Sequence, residues 1–286
     1  MYTPGQDLGG LRVDLGNVPL GGVDGAGVAW VLQKLEGWDS SDSRGEVQRR
    51  EGDHGAWFGP VYLSERPITL EGVIIAPDRA SLEDAMERLR VASGLTDTLL
   101  VVQETIPKRV LVRRSGRLVI QYITDDKASY SVLVTAADPR RYELEQQAAP
   151  TGLPSSSGGI TPPFTLPVSL DAVTVSGQAT ATNVGNFVTC PVLRIDGPVA
   201  APTVLAQYQD STVRQLAYSE AIGAGEYLTI DTDSKQVILN GSASRRRYLS
   251  AQWPYIPASE SVTFQFSASV YEPAALLTVS WRSAWL

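Results

Sequence analysis

Arg66-Pro67-Ile68-Thr69-Leu70-Glu71-Gly72 is the stretch whose pattern decides the fold class. Apolar Ile68 and Leu70 alternate with polar Thr69 and Glu71 between a proline and a glycine stop, the mark of a half-buried β-strand. A second stretch, Asn183 to Gly197 (NVGNFVTCPVLRIDG), is bounded in the same way. Between and around them the chain consists mostly of short alternating runs separated by turn residues. In the first half these are Leu11–Leu15, Val28–Leu35, Ile68–Ile75, Leu99–Gln103, Arg109–Arg113, Leu118–Ile123 and Tyr130–Ala136. Thr124-Asp125-Asp126-Lys127 predicts a hairpin turn between the last two, because short polar side chains bond their own backbone there.

One segment departs from this period. From Ala80 to Ser93, residues Leu82, Ala85, Met86 and Leu89 recur at helical spacing, with Glu83, Asp84, Glu87, Arg88 and Arg90 opposite. An amphipathic helix is expected over 81–93, with Ser81 and Asp84 as an approximate capping box and Gly94 as its stop. A helix covering one sheet face makes the first domain a β-sandwich-like sheet domain with a helical cover.

From Ala148 to Pro167 the composition changes to five prolines, three glycines and Ser155-Ser156-Ser157. Such a stretch predicts a linker over 149–167 between domains 1–148 and 168–286. Beyond it, ten short runs from Ala172 to Trp281, with no helical pattern, predict an antiparallel β-sandwich. Asn240-Gly241 is the strongest hairpin signal, since a type I′ turn needs positive φ at both central residues. The expected fold class is therefore mainly β, in two β-rich domains.

The 286 residues carry a formal charge of −7, which excludes a grip on duplex nucleic acid through a basic face. No apolar run approaches the roughly 20 residues of a membrane helix. The N-terminus lacks the basic and apolar regions of a signal peptide, so synthesis in a cytoplasm and no membrane insertion are expected. Arginine outnumbers lysine by 20 to 4, a skew that fits a GC-rich coding genome as well as bidentate ion pairing.

The chemistry of catalysis is missing from the pattern. His54 is the one histidine and Cys190 the one cysteine, too few for a base-activated nucleophile or a four-ligand zinc site. His54 is expected in a turn and Cys190 buried. Gly21 to Gly27 lacks the lysine of a phosphate loop and is expected to be a mobile loop. Asp231 to Ser234 begins like a calcium loop but lacks the required glycine and bidentate glutamate, which leaves a hairpin turn. Asp125 and Asp126 are adjacent and expected in solvent. Trp253, Trp281 and Trp285 read as core packing ahead of a sugar platform. Arg245, Arg246 and Arg247 read either as a solvated strand end or as an intersubunit contact; alternation along a strand would place Arg245 and Arg247 on one face. No enzyme activity, metal or cofactor is expected.

His54-Gly55, Pro60-Val61-Tyr62 and Arg66-Pro67-Ile68-Thr69-Leu70-Glu71-Gly72, followed by the helix, stand in the order of the N-terminal half of the phage distal tail (Dit) family. Asn183-Val184-Gly185-Asn186, Pro191, Gly197, Gly225 to Asp231, Val237 with Asn240-Gly241, and Trp253-Pro254 with Ile256-Pro257 follow the order of its C-terminal half. The chain thus resembles the Siphovirus-type distal tail proteins. The resemblance implies a galectin-like second domain and a structural hub at the distal end of a virion tail. It also implies a homo-oligomeric ring, a hexamer, with the N-terminal domains around the channel. The implied partners are the tail tube protein, the tail tip hub protein and the tape measure protein. A carbohydrate-binding module for a host glycan is the alternative.

Overall fold

The computed structural model describes residues 10–157 and 173–286, in two compact units divided between Leu144 and Glu145. Residues 158–167 of the expected linker lie outside the described residues, as does the chain before Gly10.

In the first unit Arg66–Ile75 is a central strand. It lies between Ala29–Glu36 on one side and Lys127–Ala136 on the other, both antiparallel. Gly22–Val23 extends this sheet at one edge and Val119–Thr124 at the other. A second antiparallel set runs Val18–Leu20, Val13–Leu15, Thr98–Val102, Lys108–Arg114 and Arg141–Glu143. The inward residues of both sets, including Trp30, Ile68, Leu70, Val102, Val112 and Val134, form one core. Ile68 and Leu70 are fully buried while Pro67 is exposed, so the alternation in the motif maps directly onto the two faces of the sheet.

Gly72 closes the motif for a packing reason. A Cβ there would lie 1.9 Å from the Val31 carbonyl oxygen and 2.6 Å from the Tyr130 hydroxyl. Tyr130 is the cross-strand partner of Gly72 and lays its ring over it, where burial pushes the phenol pKa up.

The helix spans Arg79–Ala92 and buries Leu82, Ala85, Met86, Leu89 and Ala92. It starts two residues before the expected position. Its cap is Asp78, whose carboxylate accepts from the Ser81 amide at 2.8 Å, so the expected capping box at Ser81 is corrected. Ser93, not Gly94, closes the other end: its amide and hydroxyl both donate to the Leu89 carbonyl.

Gly21 to Gly27 is an organised turn and not a mobile loop. Asp24 Oδ1 accepts from the amides of Ala26 and Val28 at 2.9 and 3.0 Å, and its Oδ2 accepts from Trp30 Nε1 and pairs with Arg88 Nη1 at 2.8 Å. Burial works against the Asp24 charge, but these donors outweigh it and hold the carboxyl below its ordinary pKa.

The second unit is a two-sheet antiparallel sandwich. Six strands are ordered Gln147–Gly152, Leu276–Trp281, Val192–Asp196, Tyr227–Asp231, Gln236–Leu239 and Ala243–Ser244. Five more run Gln178–Thr182, Ser261–Ser267, Thr203–Gln207, Val213–Tyr218 and Leu249–Ala251. Their inner faces enclose Leu193, Ile195, Leu228, Phe264, Phe266 and Val279. The stretch expected as linker therefore opens with a strand. Pro150 is tolerated in it because Gln147–Gly152 is an edge strand, with one ladder to satisfy.

Asn183 organises the second motif. Fully buried, it donates from Nδ2 to the carbonyls of Phe187 and Pro257 and accepts at Oδ1 from the amides of Gly185 and Ala284. Gly185 is required by contact, since a Cβ would lie 1.9 Å from the Ala284 oxygen. Asn240 and Gly241 take φ of 51° and 72°, and the Ser242 amide closes their turn onto the Leu239 carbonyl, as expected.

Candidate functional site

The most exposed apolar surface of the first unit is a hairpin that belongs to neither sheet. Ser43–Arg49 pairs with Ala56–Leu63 as a separate two-stranded ribbon. The turn is built locally: Gly52 and Gly55 take φ of 90° and 94°, and the His54 amide donates to Asp53 Oδ1 at 2.7 Å. Arg50 closes onto the Gly55 carbonyl through its amide and lays its guanidinium 4.2 Å from the centre of the Trp57 ring. His54 therefore occupies an exposed turn, as expected.

Every residue of Ser43–Arg49 is exposed. Val47 is 55% exposed, Trp57 63%, Phe58 79%, Val61 61% and Tyr62 62%. Val47 stands opposite Phe58 and Gly45 opposite Val61, while Gln48 faces Trp57 and Arg44 faces Tyr62. A register shift between Gly45 and Val47 keeps Val47, Phe58 and Val61 on one side. Trp57 and Tyr62 then take the other. One face of the ribbon therefore exposes Val47, Phe58 and Val61, and the other exposes Trp57 and Tyr62 among Arg44, Glu46 and Gln48. A two-stranded hairpin has little stability of its own in water, and contiguous apolar patches of this kind mark interaction surfaces.

Arg245, Arg246 and Arg247 do not form a strand. Arg246–Tyr248 is a 3-10 turn leading into Leu249–Ala251, so the expected sorting of Arg245 and Arg247 to one face does not apply. Each has an internal partner. Arg246 donates to the Leu249 carbonyl at 2.9 Å and lies 4.9 Å from the Trp253 ring centre, while Arg245 and Arg247 flank the Tyr248 ring at 6.0 and 4.5 Å.

The aromatic groups of the second unit are similarly engaged. Trp281 is buried and donates to the Thr182 carbonyl, and Trp253 packs against the core. Arg214 lies 4.6 Å from the Tyr255 ring centre and donates to the Trp253 carbonyl. The rings of Trp253 and Tyr255 thus each already carry a guanidinium group. Cys190 is half-buried and not enclosed as expected. It lies just before the strand Val192–Asp196, outside the interior rows of the sandwich.

The carboxylates are placed in turns. Asp231 Oδ1 accepts from the amides of Asp233 and Ser234, and Asp126 accepts from the Thr124 hydroxyl. Among the described residues no group of three or more His, Cys, Asp or Glu side chains could hold a metal. Among them, too, no helix is long and apolar enough to cross a membrane.

The hairpin was only half legible in the sequence. His54-Gly55 and Pro60-Val61-Tyr62 mark a turn and an aromatic strand, but Ser43–Arg49 has no alternation to signal it. Its usable signal is the run of β-formers Trp57, Phe58, Val61 and Tyr62 beside a Gly-Asp-His-Gly turn.

No family model matches the chain, and no curated protein matches it in sequence. Solved structures do. The Dit protein (gp 19.1) of phage SPP1, described as a paradigm of the hub adsorption apparatus in phages infecting Gram-positive bacteria, matches with a TM-score of 0.63 at 11% identity over 89% of this chain and 93% of that one. Chains of the phage P2 baseplate in its activated conformation match in the calcium form (TM-score 0.51, 9% identity) and the strontium form (TM-score 0.52, 10% identity). Each covers 94% of this chain and 97% of the other. At these identities the likeness is one of architecture, and this chain has the β-rich fold of the SPP1 hub protein Dit.

Proposed function

We propose that the chain is a non-enzymatic structural subunit of a phage tail hub, at the distal end of the tail, whose copies close into a hexameric ring. The observation that carries this reading is the hairpin Ser43–Leu63, which exposes Val47, Phe58 and Val61 on one face and Trp57 and Tyr62 on the other, uncovered by any of the described residues. Burying one such side chain contributes about 1.5–3 kcal/mol, so five per copy supply a substantial association energy. An arm that meets a different surface on the next copy makes a heterologous contact, which closes into a ring when the rotation allows. The fold likeness to a hub protein and to baseplate chains supports the same reading. A ring of this kind would join the tail tube to the tip and its adhesion apparatus, with the first unit around the channel.

Mass measurement of the purified chain, with images of the same sample, tests the proposal. A hexameric ring that dissociates when Phe58 and Val61 are both replaced by serine is the expected result. A strict monomer at every concentration would refute it.

A further inference from the structure

We propose that the hairpin arm of one copy seats in the groove between the helix Arg79–Ala92 and the edge strand Val119–Thr124 of the next copy. This rests on the ring reading and assigns the surface that receives the arm. The groove is two adjoining concavities that share Tyr122. One, of about 600 Å³, is lined by Arg79, Ile123 and Asp125, and the other, of about 350 Å³, by Met86, Glu87 and Arg90. Tyr122 and Ile123 are 53% and 57% exposed.

Three features of the groove match the arm. Among the described residues Val119–Thr124 has a ladder only to Lys127–Ala136, which leaves its outer row of amides and carbonyls available. The arm, a two-stranded ribbon, has free outer edges of its own. Joining two such edges satisfies both and removes an exposed strand from each copy.

The side chains correspond as well. Along the edge strand, Ile120 packs on the core, and Tyr122, two residues on, opens into the helix groove, while Ile123 is the extra residue of a β-bulge. A ribbon continuing that sheet lays one face along the flank of the helix and the other beside Val119. This suits an arm that exposes Val47, Phe58 and Val61 on one side and Trp57 and Tyr62 on the other. Charge agrees in sign by a small margin: around the groove Glu83, Asp84, Glu87 and Asp125 pair with three arginines, Arg79, Arg88 and Arg90, whereas the strands of the arm carry Arg44 and Arg49 against Glu46. Neither Arg44 nor Arg49 has an ion pair among the described residues.

The test uses the full chain. With Cys190→Ser as background, Val47→Cys and Ile123→Cys together should give a ladder of covalent oligomers after treatment with a short bis-maleimide, and either cysteine alone should not. In parallel, Tyr122→Asp with Ile123→Asp places charge on an exposed edge and should weaken ring assembly by about a hundredfold. Leu111→Asp, exposed but outside the groove, should leave assembly unchanged. A ring that forms with wild-type affinity in the Tyr122, Ile123 variant overturns the groove as the receiving surface and leaves the ring standing. A wild-type chain that stays monomeric overturns both.

Discussion

Replacing Arg66 by methionine tests whether a buried charge holds the first unit together or merely survives in it. Arg66 is fully buried at the head of the central strand. Its Nε donates to the Pro139 carbonyl at 2.9 Å, and its Nη1 to the carbonyls of Gly37 and Trp38 at 3.1 and 2.8 Å. Burial, with the neighbouring Arg141, brings its pKa from the ordinary guanidinium range down to about 10. The interior therefore works against the charge, and the Arg66 Nη2 has no hydrogen-bond partner among the described residues. Against this stand three charge-assisted hydrogen bonds at about 1.5–3 kcal/mol each. Methionine keeps most of the stem volume but strands three carbonyl oxygens. The expected loss is about 2–4 kcal/mol. Hydrogen exchange of the Ile68–Ile75 amides isolates this unit from the other, and these amides should exchange about thirty- to several-hundredfold faster. Unchanged or slower exchange would refute the reasoning: the charge would then be a burden and the carbonyls would be satisfied without it.

Asp24→Asn should destabilise the first unit by about 1–3 kcal/mol at neutral pH, through loss of the charged acceptor for Trp30 and Arg88. Because the folded carboxyl titrates below 3.8, its contribution is present above that value and lost as pH falls through the folded pKa. Acid unfolding curves should accordingly converge between wild type and variant at low pH. Gly72→Ala forces a Cβ against the Val31 oxygen and the Tyr130 hydroxyl and should cost about 1–3 kcal/mol, visible as a lowered thermal midpoint. The pair Arg245→Ser with Arg247→Ser removes two guanidinium groups from the Tyr248 ring. It should lower the stability of the second unit by about 1 kcal/mol, and sedimentation at low and high salt should show ring assembly unchanged.

The strand Arg66–Ile75, the helix Arg79–Ala92 and the Asn240-Gly241 turn were legible in the sequence because each is specified by neighbours a few residues apart. Alternation puts Ile68 and Leu70 inside, 3.6-residue spacing puts Leu82, Met86 and Leu89 inside, and positive φ at two successive positions selects Asn-Gly. What depends on distant residues was not legible. Ser43–Arg49 shows no alternation because none of the described residues covers it. Gln147–Gly152 looks like a linker until its pairing with Leu276–Trp281 reveals an edge strand that can hold Pro150. The Gly21 to Gly27 turn, held locally by the Ala26 and Val28 amides on Asp24, is also tied through Asp24 to Arg88, more than sixty positions away. Arg66 has the composition of a surface residue, and only the meeting of Gly37, Trp38 and Pro139 around it makes a charge stable inside. Local periodicity encodes which face of an element is buried; which edges stay open, and which charges are enclosed, follows from contacts between segments that no short window of sequence contains.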